Sequence, residues 1–112
     1  LDLQDMDAAG RARYHAACAL AANHLAVLHE AARATLVGQG LPEEAVAQAL
    51  AVLMQSSLEN LLALGVPRGV TGPIARGDHE AAARHAAALG GTAGELYALL
   101  SGRLAAMLQA PG

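Results

Sequence analysis

The chain has 112 residues, a net charge of −3, no lysine and seven arginines that do not cluster. This length fits one domain with a modest core, and the acidic balance excludes nucleic-acid binding, which needs a basic face. The longest apolar run, residues 16–28, contains Asn23 and His24 and is too short to cross a bilayer, so no membrane span is expected. Cys18 is the single cysteine, which predicts a reducing, cytoplasmic location.

The first predicted helix is the longest. It runs from about residue 7 to residue 37, with Asp5 or Asp7 as its N-cap and Gly38 and Gly40 at its end. At about 1.5 Å per residue such a helix is about 45 Å long, whereas a domain of this size has a radius of gyration of about 13 Å. We therefore expect the helix to extend beyond a compact monomer.

The apolar residues of this helix lie on more than one side. One stripe contains Tyr14, Cys18, Leu25, Leu28, Ala32 and Leu36, and Leu20 and Val27 project from a different side. A helix that is apolar on several faces needs to be buried on several faces. This pattern predicts a homodimer, or another domain that covers the helix.

The second helix opens at Pro42, a residue that favours the first helical turn, and should continue to Leu64 and stop at Gly65. An irregular loop follows over residues 66–77. Asp78 is then expected to cap the next helix, because an aspartate side chain accepts hydrogen bonds from first-turn N–H groups.

The last two helices are shorter. The third spans residues 79–89 and is closed by Gly90 and Gly91, and the fourth begins with a capping box of Thr92 and Glu95 and continues to about Gln109. No alternation typical of a strand competes with these helices. The sequence therefore predicts an all-α, four-helix domain over residues 1–112, with two long antiparallel helices, a turn-rich loop and two shorter helices.

One face of the first helix carries polar side chains separated by alanines. At about 100° per residue, one side of the helix contains His15, Ala19, Ala22, Asn23, Ala26 and Glu30. Imidazole can donate or accept a proton near neutral pH, and an asparagine can orient a carbonyl or hydroxyl group. His15 and Asn23 are therefore candidate catalytic residues; the alternative is that both are polar interface residues that satisfy one another or a facing helix.

The loop contains the stretch that a plain helical protein does not need, Thr-Gly-Pro-Ile-Ala-Arg-Gly-Asp at residues 71–78. Turn-rich segments with convergent polar groups commonly bind ligands. Arg76 could hold a carboxylate or phosphate, or it could pair with Asp78 or Glu80. Pro73 and the glycines are expected mainly to shape the turn, and Thr71, Gly72, Pro73 and Arg76 are candidate substrate-binding residues.

Other chemistries find little support. His24 and His29 point to different sides of the helix, Cys18 is isolated, and the sequence predicts no metal site. His79 and His85 are interpreted as solvated, and Ser56 and Ser57 lack the turn of a nucleophilic serine. No complete active site is predicted in this chain.

Three stretches together resemble a known family. They are Tyr14-His15-Ala16-Ala17 with Asn23 eight residues after the histidine, Ser57-Leu58-Glu59-Asn60, and the motif at residues 71–78. They are similar to a C-terminal helical domain of unknown function that follows a Rossmann-like NAD(P)-binding domain in uncharacterised bacterial oxidoreductase-like proteins. More distantly, this family resembles the C-terminal domains of 6-phosphogluconate dehydrogenase, pyrroline-5-carboxylate reductase and the β-hydroxyacid dehydrogenases.

The resemblance implies a substrate-cleft and dimerisation domain of an NAD(P)-dependent oxidoreductase. NADP or NAD would be bound mainly by a Rossmann domain that precedes this chain, and the start at Leu1 rather than methionine fits that expectation. His15 and Asn23 would face the nicotinamide and a small-molecule substrate, and residues 71–73 and Arg76 would line the same cleft. The β-hydroxyacid dehydrogenases use a lysine on the corresponding helix, which this chain lacks, so their chemistry does not transfer directly.

Two other functions compete with this one. A non-enzymatic helical dimerisation or ligand-binding module needs the apolar faces alone and treats the loop as a structural turn. A metal-binding helical bundle would have to use the histidines. A strand followed by Gly-x-Gly-x-x-Gly before Leu1 would favour the oxidoreductase.

Overall fold

The computed structural model describes residues 2–109, and of Leu3 its backbone alone. Those residues form helices and turns and contain no β-strand, so the predicted all-α class is confirmed. The contacts divide the chain into an N-terminal unit, Leu1–Val46, and a C-terminal unit, Ala47–Gly112. Of the helices in the described residues, none combines the length and the apolarity that crossing a membrane requires.

Within residues 2–109, five α-helices follow a short 3₁₀ turn at Leu3–Asp5. They are α1 (Ala8–Cys18), α2 (Leu25–Gly38), α3 (Glu43–Leu64), α4 (His79–Leu89) and α5 (Gly91–Gln109). A π-helical turn at Ala19–Asn23 joins α1 to α2, so the predicted first helix is one helical run with a wider turn in its middle. The other three helices correspond to the predicted ones.

Both ends of the first predicted helix are set by the residues expected to set them. Asp7 caps α1, and its carboxylate accepts a hydrogen bond of 2.7 Å from the Gly10 N–H. Gly40 has a φ of +97° and ends α2; its N–H donates to the Val37 carbonyl at 2.9 Å, and the next N–H, of Leu41, donates to Leu36 at 3.3 Å. These two bonds are the Schellman motif, which favours glycine.

Of the two caps predicted for the last two helices, one is confirmed and the other is wrong. Asp78 caps α4 by accepting a 3.0 Å hydrogen bond from the Ala81 N–H, as predicted. The capping box at Thr92 is wrong, because α5 already begins at Gly91 and the Gly94 N–H donates to the Gly90 carbonyl at 2.8 Å. Gly90, with φ +63°, both closes α4 and precedes α5, so Thr92 lies inside the first turn.

The buried apolar side chains are few. Val46 and Leu50 lie one turn apart on α3, and in the C-terminal unit Ile74, Ala81 and Ala82 are buried. The pairing of α4 with α5 is close enough that a Cβ at Gly94 would lie 2.6 Å from the Ala86 carbonyl oxygen. The C-terminal unit is thus built on small residues that let helix backbones approach.

In the N-terminal unit, Val46 is the one buried residue among those whose side chains the structure describes, and an ion-pair network adds to it. From Asp2 to Ala45, no residue whose side chain the structure describes is buried. Arg33 donates to both carboxylate oxygens of Glu30, at 2.8 and 2.6 Å, and to Glu43 at 2.7 Å. Because Glu43 is the first residue of α3, this guanidinium ties α2 to the start of the following helix.

Candidate functional site

The π turn is the irregular feature of the helical run that carries the predicted catalytic residues. The His24 N–H donates to the Ala19 carbonyl at 2.9 Å, a bond that spans five residues instead of four. Asn23 is the last residue of this turn, and His15 lies one α-helical turn before it begins. Single π turns inside α-helices are frequent at functional sites.

The extra residue of the π turn changes which side chains share a face. In a continuous α-helix, eight residues place His15 and Asn23 about 80° apart around the axis. A π turn adds one residue to the turn, which removes about 100° and leaves the two side chains about 20° apart. The uniform spacing assumed from the sequence is therefore wrong across Ala19–Asn23, and the correction brings the two candidate residues closer to one line.

Both candidate side chains are exposed. The imidazole of His15 packs edge-on against Tyr14, with ring centroids 5.7 Å apart. Among residues 2–109, neither His15 nor Asn23 forms a side-chain hydrogen bond. Their Cα atoms are about 12 Å apart along the axis, so they do not satisfy one another, and a small molecule could contact both.

The motif at residues 71–78 forms one compact helical turn in the C-terminal unit. Gly72, with φ +98°, leads into the turn, and its carbonyl accepts a 3.2 Å hydrogen bond from the Arg76 N–H. Gly77, with φ +78°, ends it. The N–H groups of Gly77 and Asp78 donate to Ile74 at 3.0 Å and to Pro73 at 2.8 Å, which is a second Schellman motif.

Most residues of this motif therefore have a structural role. The two glycines supply left-handed backbone conformations, Pro73 begins the turn, Ile74 anchors it with 8% of its surface exposed, and Asp78 caps α4. Arg76 pairs with neither Asp78 nor Glu80, in contrast to the structural alternative for this arginine. Within the described residues, the side chains of Thr71 and Arg76 are exposed and make no hydrogen bond, so they remain available to a ligand.

Ile74 also connects the motif to a shallow groove between α4 and α5. The groove has a volume of about 220 Å³ and is lined by Ile74, His79, Ala82, Ala83, Ala86, Ala98, Ser101, Gly102 and Ala105. Most of these side chains are small and apolar; His79 and Ser101 are the polar ones. None of the four predicted substrate-binding residues lines this groove, which Ile74 of the same turn reaches, and His15 and Asn23 lie in the other unit.

The comparisons with known proteins decide the family. A family model described as "Domain of unknown function (DUF2520)" matches residues 2–104. The chain belongs to the DUF2520 family. No curated protein and no solved structure matches it.

One polar pair in this DUF2520 chain was missed from the sequence. His85 on α4 and Tyr97 on α5 are joined by a hydrogen bond of 2.9 Å between Nδ1 and the hydroxyl oxygen, and their rings meet edge-on at 5.8 Å. His85 is therefore not merely solvated, as its exposed position suggested. Its partner is twelve residues away in the next helix, and no local spacing signals such a pair.

One ion-pair network of the DUF2520 chain shifts the pKa values of its members. Hydrogen bonds that Arg33 donates to Glu30 lower the pKa of the Glu30 carboxyl, and the same bonds, with the one that Arg33 donates to Glu43, raise the pKa of Arg33. These three residues form an exposed ion-pair network rather than a reactive site. Within residues 2–109, no three His, Cys, Asp or Glu side chains lie close enough together to hold a metal ion.

Proposed function

We propose that this DUF2520 domain is the substrate-cleft and dimerisation domain of an NAD(P)-dependent oxidoreductase. In this proposal NADP or NAD is bound mainly by a Rossmann-like domain of the same protein, located in the cytoplasm. The helical domain supplies side chains that contact a small-molecule substrate. The resemblance of residues 71–78 to oxidoreductase-associated domains motivates the proposal.

The observation that carries it is the near alignment of His15 and Asn23 by the π turn. An exposed imidazole and an exposed amide lie about 12 Å apart on one helix face, with Ala19 between them, so neither is blocked by a bulky neighbour. A helix packed for stability alone has no need of a π turn or of these two side chains there.

Each residue has a distinct role in the proposed reaction. His15 would donate a proton to the carbonyl oxygen or imine nitrogen of a substrate whose carbon accepts hydride from the nicotinamide, or would remove it from the hydroxyl or amine in the reverse direction. Asn23 donates its amide N–H to a substrate oxygen and orients it. Thr71 and Arg76, exposed on the turn that Gly72 and Pro73 shape, bind a polar or anionic part of the substrate.

The experiment uses the native gene product with the residues that precede Leu1. Binding of NADPH and NADH is measured by fluorescence, and oxidation of the bound cofactor is followed with a panel of oxo acids and cyclic imines. His15→Ala should lower kcat by about 10²–10⁴-fold, the usual contribution of a general acid or base. The matched control is His29→Ala, an exposed histidine of the same helical run, which should turn over normally.

A readout besides rate separates chemistry from structure. If His15 transfers the proton, its replacement removes one limb of the pH–rate profile, whereas a merely structural loss lowers the rate equally at every pH. Undiminished turnover by His15→Ala would exclude the catalytic role. A gene product that binds neither nicotinamide cofactor would exclude the oxidoreductase.

The second candidate is a non-enzymatic helical dimerisation or ligand-binding module. The observation that favours it is the extent to which the turn at residues 71–78 is explained by its own backbone, with two glycines at positive φ and a buried isoleucine. This candidate predicts no Gly-x-Gly-x-x-Gly segment upstream and no nicotinamide binding. The native product should then still self-associate.

A further inference from the structure

We propose that the groove between α4 and α5 binds a short-chain fatty acid. The alkyl chain of the ligand lies against the alanines of the groove, and its carboxylate accepts hydrogen bonds from His79 and Ser101. The site belongs to the C-terminal unit, whereas His15 and Asn23 belong to the other one. The inference goes beyond the proposed function and does not depend on it.

The groove exists because α4 and α5 face one another through small residues. A Cβ at Gly94 would lie 2.6 Å from the Ala86 carbonyl oxygen, so the two backbones approach closely at that point. Further from the turn the lining consists mostly of alanines, such as Ala82 and Ala98, which are too small to fill the space between the helices. Ile74, of which 8% is exposed, adds a third side. The groove is therefore a product of helix packing and not of an exposed loop.

The register of the two helices places the polar residues of the groove opposite one another. The chain reverses between the helices at Gly90, and Ala86 contacts Gly94 across this turn. From that contact, His79 lies seven residues back along α4 and Ser101 lies seven residues forward along α5. Seven residues are close to two full helical turns, so each side chain returns to the face that meets the other helix. His79 and Ser101 thus form a polar end of the groove, and the end near the turn is apolar.

Both polar side chains are free to bind an oxygen atom. Within a helix a hydroxyl often donates to the carbonyl one turn earlier, as the Thr35 hydroxyl does to Ala31 at 2.7 Å. Among residues 2–109, the Ser101 hydroxyl makes no such bond, and the His79 imidazole bonds to no other side chain or carbonyl. A hydroxyl and a ring N–H both donate to oxygen acceptors. Two donors at one end of the groove suit the two oxygens of a carboxylate.

The charge of the groove favours that carboxylate over a cationic group. The residues that line it include no acidic side chain, and His79 is the one among them that can carry a positive charge. The carboxylate before it in the sequence, Asp78, is engaged as the cap of α4 and accepts a 3.0 Å hydrogen bond from the Ala81 N–H. Glu80, which follows it, does not line the groove. An anionic oxygen at this end therefore meets hydrogen-bond donors and no lining carboxylate.

The size and the apolar end of the groove define the rest of the ligand. The volume of the groove is about 220 Å³, and an apolar cavity of about 150 Å³ is large enough for the roughly six carbons of benzene. The alanines at the apolar end offer no hydrogen bond to a hydroxyl or oxo group, so an unsubstituted alkyl chain fits there best. Because the groove is shallow, we expect a dissociation constant on the order of 1 mM for an acid of about six carbons.

The first test is a titration of the ¹⁵N-labelled chain with 4-methylpentanoate at fixed pH and ionic strength, followed by amide NMR spectra. The shifts should saturate and should be largest for groove residues such as Ala83, Ser101 and Gly102. The uncharged 4-methylpentanamide has the same shape and is the control ligand. It should bind at least about fivefold more weakly, because hydrogen bonds to a charged acceptor are the stronger ones.

The second test uses matched variants of α4. Ala83 and Ala87 are both exposed and lie one turn apart, and of the two Ala83 lines the groove. Ala83→Leu should weaken binding of 4-methylpentanoate by more than about tenfold, because the larger side chain occupies the space of the alkyl chain. Ala87→Leu should bind as the parent does, and equal far-UV circular dichroism of both variants checks the fold. Ser101→Ala should weaken binding about three- to tenfold through the loss of one hydrogen bond.

Three results would overturn the proposal: shifts that do not saturate or that lie outside the groove, equal affinities of Ala83→Leu and Ala87→Leu, or equal affinities for the acid and the amide. The measurements involve neither nicotinamide binding nor turnover. A chain that binds the acid in the groove while the native gene product binds no nicotinamide would keep the site and refute the oxidoreductase alone.

Discussion

The connection between α3 and α4, residues 65–78, and the helical run Ala8–Gly38 differ in how far packing accounts for their residues. In the connection, several residues fix the backbone path: three glycines have positive φ, Ile74 is buried and Asp78 caps α4. In the helical run no described side chain is buried, and yet the run departs from a regular helix at Ala19–Asn23. Packing and backbone geometry account for the connection, whereas no burial within the helical run accounts for its π turn.

This difference shows where a functional signal can be found in a domain of this kind. The distinctive appearance of residues 71–78 comes mainly from two turn glycines and a cap, which any stable connection of this shape would need. What remains there is Thr71 and Arg76. In the helical run the irregular feature itself is unexplained by packing, so the π turn is the stronger indication of a ligand or a partner.

Among the substitutions that test this comparison, Gly69→Ala is expected to have the largest effect on stability. A Cβ at this position would lie 2.6 Å from the Asn60 carbonyl oxygen, 2.7 Å from that of Gly65 and 2.9 Å from the Leu61 Cα. Because these neighbours are backbone atoms, Gly69→Ala should lower the free energy of unfolding by about 1–3 kcal/mol. Urea denaturation measures it; Gly38→Ala, with nothing within 4 Å of its Cβ, is the control and should cost nothing.

A smaller loss is expected at Gly77, whose φ of +78° ends the turn. Gly77→Ala should lower the free energy of unfolding by about 1–2 kcal/mol, because an L side chain is strained in the left-handed region. Gly77→Asn should cost less, since asparagine tolerates that region. Equal stability of Gly77→Ala and the parent in thermal and urea denaturation would mean that the connection is not held by its backbone.

Much of the fold could be predicted because its signals are local. Asp78 was identified as a cap and the helix at His79–Leu89 was bounded correctly, since an aspartate before a helix and a glycine pair after it act within one turn. The end of α3 at Leu64 follows from an equally local signal, the glycine at position 65. The capping box predicted at Thr92 is wrong because α5 begins at Gly91, directly after Gly90, which has a positive φ.

The site was harder to predict because its decisive features are not local. A π turn in an alanine-rich helix has no composition of its own: residues Ala19–Asn23 differ little from their neighbours. The partners His85 and Tyr97 meet only when α4 packs on α5. The residues His15, Asn23, Thr71 and Arg76 could be singled out from the sequence, and their roles stay predictions.

Deletion of Ala21 tests whether the alignment of His15 and Asn23 explains the π turn of the helical run. The shortened run should form a continuous α-helix with unchanged circular dichroism and nearly unchanged stability, because the residue is exposed. His15 and Asn23 would then be seven residues apart, about 20° around a continuous α-helix, which is the alignment that the π turn gives, so turnover by the native gene product should be kept. Ala21→Ser, which keeps the length, is the control, and loss of turnover in the deletion alone would mean that the alignment of the two side chains does not explain the π turn.

The smallest effect concerns the ion pairs of Arg33. Its hydrogen bonds lower the pKa of Glu30, so Glu30 contributes stability that is present above its unfolded pKa and is lost as the pH falls through its lower folded pKa. We expect a slight loss below about pH 4.3, the ordinary value for glutamate. Glu30→Gln should remove that part of the pH dependence in denaturation at several pH values; an unchanged profile would assign it to other carboxyls.

Tyr97, which is hydrogen-bonded to His85, is also an optical label for its part of the chain. The chain contains two tyrosines and neither tryptophan nor phenylalanine, and the tyrosines are divided between the units, Tyr14 in Leu1–Val46 and Tyr97 in Ala47–Gly112. Ultraviolet absorbance and fluorescence from each phenol therefore report on one half of the chain. Replacing either tyrosine leaves a single intrinsic chromophore, so the melting of each unit can be followed separately without any attached dye.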